Sequence, residues 1–294
     1  MKNILITGSN GFISRSFIQK FRGQYNFILL SHKRTPSHIT LEKLESDENL
    51  VSSIDLILNL SGANISEKRW TGKRKRELLE SRIFITKKIV SVFNATEHKP
   101  HLISASAVGI YDENLNNDES TEIDYYSYKN FSQEITKKWE LAAREYQGPL
   151  TITRFGVVLG NSGGAFPKIL KPFLMYLGII LSNGSQWMTW ITTYDLLKAL
   201  DYIITNQHIG IYNLVAPEVT TNLQLATTIS KTWNKPIIGK MPALIIRILF
   251  GQMGQELFLN SIKVSPQKLI HQGFIFKYPN IAISLNAIKN KDLD

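Results

Sequence analysis

The residues best suited by type and spacing to do chemistry stand at the amino end, in Gly8-Ser9-Asn10-Gly11-Phe12-Ile13-Ser14. Gly8 can take backbone angles closed to other residues, so a strand can turn sharply there. Gly11 has no side chain to hold a pyrophosphate away. A helix that starts here aims its free N–H groups and positive dipole end at the phosphates. Gly8, Asn10, Gly11, Phe12 and Ile13 thus form a candidate dinucleotide cradle. The third small position of the usual spacing is Ser14, which must serve close helix–strand packing in place of glycine.

Such a turn needs a buried strand before it and an amphipathic helix after it. Ile4, Leu5 and Ile6 supply the first, and Phe17, Ile18 and Phe21 the second. A second apolar run, Phe27 to Leu30, leads into Ser31-His32-Lys33-Arg34. NAD-preferring folds place an acid here to hold the ribose hydroxyls. Ser31, Lys33 and Arg34 instead suit a 2′-phosphate, so the expected cofactor is NADP rather than NAD. The third run, Ile54 to Leu60, ends in Ser61-Gly62-Ala63-Asn64. Ligands approach open α/β sheets at the carboxyl ends of strands, which adds Leu60, Ser61 and Gly62 to the cofactor set.

A helix from about Gly72 to Asn94, a strand from His101 to Ser106, a loop over 112–124, a helix from Tyr125 to Tyr146 and a strand from Leu150 to Leu159 continue the alternation. The fold class expected is α/β, a Rossmann-type doubly wound parallel sheet with right-handed crossovers. After Gly160 helices dominate, over Lys168–Leu177, Asp195–Ile204, Asn222–Trp233, Pro242–Phe250 and Pro266–Gly273. The expected division is a nucleotide-binding domain over 1–165, with a return segment near 190–216, and a smaller, mostly helical capping lobe over 166–294.

The 294 residues are 43% hydrophobic and 20% charged, as in ordinary globular proteins. The absence of cysteine removes disulfides, thiolate metal sites and cysteine nucleophiles. The six histidines show no metal-ligand spacing, so no metal is expected. No apolar run reaches membrane-spanning length, and a cytoplasmic protein with no membrane partner is expected. A formal charge of +10 fits nucleic acid, a membrane surface or anionic substrates as partners. The densest cluster, Lys68 to Arg76, reads as a solvated helix face. It lacks interleaved aromatics, so nucleic acid is not the expected partner. A small-molecule substrate is expected, and a homo-oligomer is left open. Gly160-Asn161-Ser162-Gly163-Gly164 also matches a hydrolase elbow, with Asp195 and His208 or His271 following in order. The amino-terminal glycine turn has no place in that fold.

Segments spread along nearly the whole chain resemble extended short-chain dehydrogenase/reductases, the NAD(P)-dependent epimerase/dehydratase superfamily. They include Ile6-Thr7-Gly8, Leu58-Asn59-Leu60-Ser61-Gly62-Ala63-Asn64, Ser104-Ala105-Ser106-Ala107-Val108-Gly109, Trp139-Glu140, Arg154-Phe155-Gly156-Val157, Gln186-Trp187-Met188-Thr189-Trp190 and Gly273-Phe274. The narrower likeness is to an "epimerase family protein" branch with a C-terminal domain of unknown function. This resemblance implies a Rossmann fold, an NAD(P) site that Val157 joins, and catalysis by a Ser, a Tyr and a Lys. Ser106 matches the Ser. The Tyr is the proton donor or acceptor, and a Lys one helical turn later lowers its pKa. Tyr125 and Lys129 have that spacing, whereas the usual position of the Tyr falls near Tyr128, with Ser132 where its Lys would stand. A Tyr125–Lys129 dyad, Tyr128 without its Lys, and no tyrosine catalysis all stay open.

Glu77 and Arg82, on the helix after Asn64, are candidates to turn toward the cofactor. Arg154 is a candidate for binding a substrate anion, and Gln186, Trp187 and Trp190 for lining the pocket. The expectation is an NAD(P)-dependent oxidoreductase or epimerase acting on a small carbonyl or sugar-like substrate. The alternative is a catalytically idle NADP-binding sensor.

Overall fold

Short apolar runs flanked by turn residues become the strands of one parallel sheet. They are β1 (Lys2–Thr7), β2 (Tyr25–Leu30), β3 (Leu56–Asn59), β4 (His101–Ala107), β5 (Leu150–Phe155) and β6 (Gly210–Leu214). The structure is a computed structural model and describes residues 1–31, 38–113, 115–161 and 163–293. Lys33, Arg34 and Ser162 therefore lie outside the described residues. Across the sheet the order is β6-β5-β4-β3-β1-β2, every pair parallel. Parallel strands covered on both faces read as near-continuous apolar runs, and Ile4, Leu5, Ile6, Ile57 and Leu58 are fully buried.

The helices that matter are α1 (Phe12–Phe21), α2 (Gly72–Asn94), α3 (Phe131–Arg144), α4 (Phe166–Leu174) and α5 (Thr193–Thr205). On one face of the sheet Phe17 and Phe21 of α1 pack with Leu196, Leu200 and Ile203 of α5. On the other, Ile89, Val90 and Phe93 of α2 close over Leu5, Ile57 and Leu102. The chain leaves β1 for β2 at the sheet edge and then crosses back to β3. Strand order thus reverses beside β1, and the carboxyl ends of β1 and β3 flank the switch point where open sheets bind ligands.

Several boundaries differ from the sequence reading, and the strand expected over Leu150–Leu159 breaks at Gly156 into Leu150–Phe155 and Val157–Leu159. The third strand is shorter, Leu56–Asn59, and the polar run before it folds into two short helices, Leu41–Ser46 and Glu48–Ser52. The helix expected from Tyr125 begins at Phe131, because the Asn130 side chain accepts from the Gln133 amide and caps it there. Tyr125, Tyr128 and Lys129 therefore stand in non-helical chain ahead of α3.

Beyond β5 the chain builds a second core from α4, α6 (Asn222–Trp233) and α8 (Ile281–Asn290), with α7 (Ala243–Phe250) between the last two. The buried Asp195 carboxylate, in the first turn of α5, accepts from the Lys277 and Tyr278 amides, each at 2.9 Å. This clamps the C-terminal segment to the sheet layer. Asp195→Ala strands two amide donors, and we expect a loss of about 2–4 kcal/mol in urea unfolding.

Candidate functional site

The amino-terminal turn meets the requirements of a phosphate cradle. Gly8 has φ +63°, and a Cβ there would sit 2.7 Å from the Leu60 carbonyl oxygen at the end of β3. The Gly11 amide donates to the Gly8 carbonyl at 2.8 Å, closing the turn. Gly11 is the N-cap of α1 and offers no capping side chain, and no acid stands in the first turn. By contrast, Thr71, Asn130 and Thr192 cap α2, α3 and α5. The first amides of α1 are thus left without a side-chain acceptor, as at helix ends that can take an anion. Asn10 and Gly11 are exposed, Phe12 and Ile13 half-buried, and Ser14 is fully buried in the helix–sheet contact. Ser31 follows β2 at the same end of the sheet.

Leu60 is half-buried, Ser61 buried and Gly62 exposed. Arg82 supports this loop from behind, donating to the Leu78 and Ala63 carbonyls at 3.0 Å each. A Cβ on Gly62 would lie 2.9 Å from the Arg82 guanidinium carbon. Glu77 does not turn the same way: it forms a 2.8 Å ion pair with Arg74 and is largely exposed. Val157 is half-buried just beyond β5 and bonds the Thr189 carbonyl.

Ser106, near the carboxyl end of β4, is buried and donates to Glu140 Oε1 at 2.7 Å. Glu140 lies on the inner side of α3. Arg154, 0% exposed, grips it with Nε at 2.8 Å and Nη2 at 2.9 Å. Tyr125 donates to the other carboxylate oxygen at 2.6 Å and accepts from Arg144 at 2.7 Å. Arg154 also reaches the Tyr111 hydroxyl at 2.8 Å, which in turn lies 2.8 Å from Asn213 Oδ1 on β6. Burial would raise the Glu140 carboxyl, but the Arg154 guanidinium and the Tyr125 and Ser106 hydroxyls outweigh it and hold it below the usual range. Burial, reinforced by the Glu140 charge, pushes the Tyr125 hydroxyl up to about 12.

Two tyrosine readings change on this geometry. Lys129 is not beside Tyr125: its ammonium pairs with Asp112 at 2.7 Å and is 69% exposed. The spacing of four puts two side chains on one face in a helix, and no helix covers 125–129. Tyr128 is partly exposed beside the Lys137 and Lys138 ammonium groups. Ser132 donates at 2.7 Å to Glu256, which also receives the Phe131 and Ser132 amides. A carboxylate from the C-terminal lobe thus caps α3.

Arg154 is fully spent inside the network, and Trp190 is buried in the lobe core, so neither faces an open cleft. Gln186 and Trp187 do line one. It has a volume of about 500 Å³ and is walled also by Glu113, Asn116, Arg247 and Lys263. The Gln186 amide nitrogen holds the Leu181 and Phe258 carbonyls at 3.1 Å each. Sequence reasoning missed Glu140 and Glu256. Arg154 itself carried the signal for the first: a cation in a strand covered on both faces demands a buried carboxylate.

Fold and site together define a Rossmann-type protein with an uncapped glycine turn at its switch point. The NAD dependent epimerase/dehydratase family model matches residues 4–214, and a domain of unknown function, DUF1731, matches residues 241–288. The chain belongs to the NAD dependent epimerase/dehydratase family. An epimerase family protein of Staphylococcus saprophyticus is 35% identical, over 98% of this chain and 99% of its own. The crystal structure of human epimerase family protein SDR39U1 (isoform 2) with NADPH is 28% identical, with TM-score 0.90 over 98% of this chain and 99% of its own. A UDP-glucuronic acid 4-epimerase from Bacillus cereus, in complex with NAD, shares the fold at 16% identity. Its TM-score is 0.72 over 98% and 96% of the two chains.

Proposed function

We propose that this chain binds NADP(H) across the carboxyl ends of the strands and works as an oxidoreductase or epimerase on a small carbonyl or sugar-like substrate. The observation that carries this reading is the uncapped α1 behind the Gly8 turn. The human relative solved with NADPH supports it. Gly8, Asn10, Gly11, Phe12 and Ile13 would hold the pyrophosphate, and Ser31, Lys33 and Arg34 the 2′-phosphate. Leu60, Ser61 and Gly62 would wall the site, and Val157 would close it beyond β5. When bound, the dinucleotide supplies a hydride to a substrate carbon or accepts one from it.

The proton on the substrate oxygen falls to this chain's own groups. Ser106 and Tyr125 share the Glu140 carboxylate, so a proton leaving either hydroxyl has one common acceptor. Glu140, held ionised, is a weak base, and Tyr125, at about 12, keeps its proton at neutral pH. Protonated at neutral pH, Tyr125 could act only as a donor, toward the oxygen of a carbonyl being reduced, and its high pKa makes it a weak one. The same high hydroxyl and the distant Lys129 favour a second reading, an NADP-binding sensor without turnover.

Fluorescence titration with NADPH and NADH tests the cofactor. We expect NADPH to bind at least about tenfold more tightly, near 1.4 kcal/mol, as a charge-assisted phosphate contact supplies. Arg34→Ala should close most of that gap, and equal loss of both cofactors would contradict the 2′-phosphate role. Absence of binding at millimolar dinucleotide would overturn the proposal. Consumption of bound NADPH by a panel of aldehydes and ketones separates the enzyme from the sensor.

A further inference from the structure

The C-terminal lobe exposes apolar side chains at both ends of one two-stranded pair, a surface that the nucleotide site does not use. Helix α7 buries Ile246 and leaves Leu244 and Ile248 exposed at 65% and 63%, with Ile245 and Leu249 beside them. Leu244 and Ile248, and likewise Ile245 and Leu249, are four apart and lie one above the other on adjoining strips of the helix. Just before α7 runs the strand Ile237–Met241, whose Ile238 is also exposed. It pairs with Gly178–Leu181, Ile237 opposite Gly178 and Met241 opposite Leu181. Its first residues therefore lie beside the turn Leu174-Met175-Tyr176-Leu177, where all four side chains are exposed, at 46, 57, 60 and 51%.

Cations predominate along these segments, although Glu113 lines the cleft beside Arg247. Lys235 sits 3.6 Å from the centre of the Tyr176 ring, and Lys171, Lys240 and Arg247 are exposed on the same elements. The stretches that build the face, 146–194 and 219–255, contain no Asp or Glu. We propose that this face docks on an anionic lipid bilayer. The Leu174–Leu177 turn and the exposed side of α7 enter the headgroup boundary while the cations meet lipid phosphates.

The charge pattern selects this occupant. A second copy meeting the face across a two-fold axis would press the basic rim against itself. Tyr176 takes the left-handed backbone, φ 60°, and four consecutive apolar side chains leave one tight turn. Side chains splayed this way suit a fluid apolar medium better than a matched protein pocket. Apolar insertion and cationic attraction each hold a surface weakly, and their combination is what retains a peripheral protein. Among the described residues no helix is long and apolar enough to cross a membrane, so the contact is peripheral.

Co-sedimentation of the full chain with vesicles is the test, comparing phosphatidylcholine alone with phosphatidylcholine mixed with phosphatidylglycerol. The expected result is retention on the mixed vesicles, at least about tenfold weaker on the neutral ones, and release by added salt. Met175→Asp with Leu177→Asp should abolish retention, as should Leu244→Asp with Ile248→Asp. Lys171→Glu with Lys240→Glu should weaken it on the mixed vesicles without touching apolar surface. These positions are exposed, so thermal unfolding midpoints should hold, and the charge-reversal pair decides the matter if an apolar variant unfolds early. Equal retention on both vesicles, retention on neither, or full retention by the variants overturns the proposal. A dimer that the same variants dissociate, without vesicle binding, overturns it in favour of a second copy.

Discussion

Gly11→Asp is expected to weaken dinucleotide binding by about a hundredfold or more while the fold survives. Gly11 has φ −68° and ψ 157°, ordinary angles for Asp at a helix N-cap. An Asp there would cap α1 and meet its dipole, a gain of about 0.5–1 kcal/mol. Its Cβ would also stand 3.0 Å from the Gly8 carbonyl oxygen, a crowded contact that offsets the gain. Stability in urea should therefore stay within about 1 kcal/mol of the parent. Affinity should not, because the new carboxylate takes the amides that the proposed function gives to the pyrophosphate and repels it. Two like charges about 4 Å apart at an effective dielectric near 20 interact by about 4 kcal/mol, more than a hundredfold requires. Titration calorimetry beside urea unfolding reads both quantities. Unchanged affinity would remove the phosphates from this helix end. Gly8→Ala would not discriminate, since its positive φ and the Leu60 carbonyl strain the fold as well.

Glu140→Gln is expected to cost about 3–5 kcal/mol of stability, because it leaves the fully buried Arg154 guanidinium without its counter-charge. Adding Arg154→Met should recover much of that loss, since a buried ion pair is dearer to break than to replace. A double-mutant cycle in urea measures the coupling. The pair also shapes the acid limb of the stability curve. The folded Glu140 pKa lies below its unfolded value, so its contribution is complete above the unfolded carboxylate range, near 4.3. It falls away as pH drops through the lower folded value. The urea midpoint should thus hold from neutral pH to about pH 5 and decline below that, and the Gln variant should lose part of the decline.

What the sequence made legible was local or periodic. Gly8 and Gly11 announce their turn because backbone freedom and the lack of a side chain act within a few residues. Ile4 to Ile6 and Leu56 to Leu58 announce a two-sided sheet because both faces of such strands are covered. What it concealed depends on contacts from far along the chain. The Tyr125–Lys129 spacing has meaning only on a helix. Where α3 begins is fixed by Asn130 together with Glu256, which is more than a hundred positions downstream. Arg154 has the chemistry of an anion binder, and burial against Glu140 gives it structural work instead. Nothing in the local pattern around Trp190 separates a pocket wall from a core residue. The packing of α4 and α6 against it decides that.

Strand β6 arrives late, at Gly210–Leu214, yet it covers the outer edge of β5. On the ribosome, β1 to β5 emerge well before it. Until residue 214 clears the exit tunnel, the nascent sheet presents β5 as a bare edge, and Tyr111 lacks the Asn213 carbonyl that completes the polar chain around Arg154. An exposed parallel edge of this kind invites pairing with neighbouring chains. Fragments ending between Phe155 and Gly210 should therefore clump or recruit chaperones, and the full chain should not.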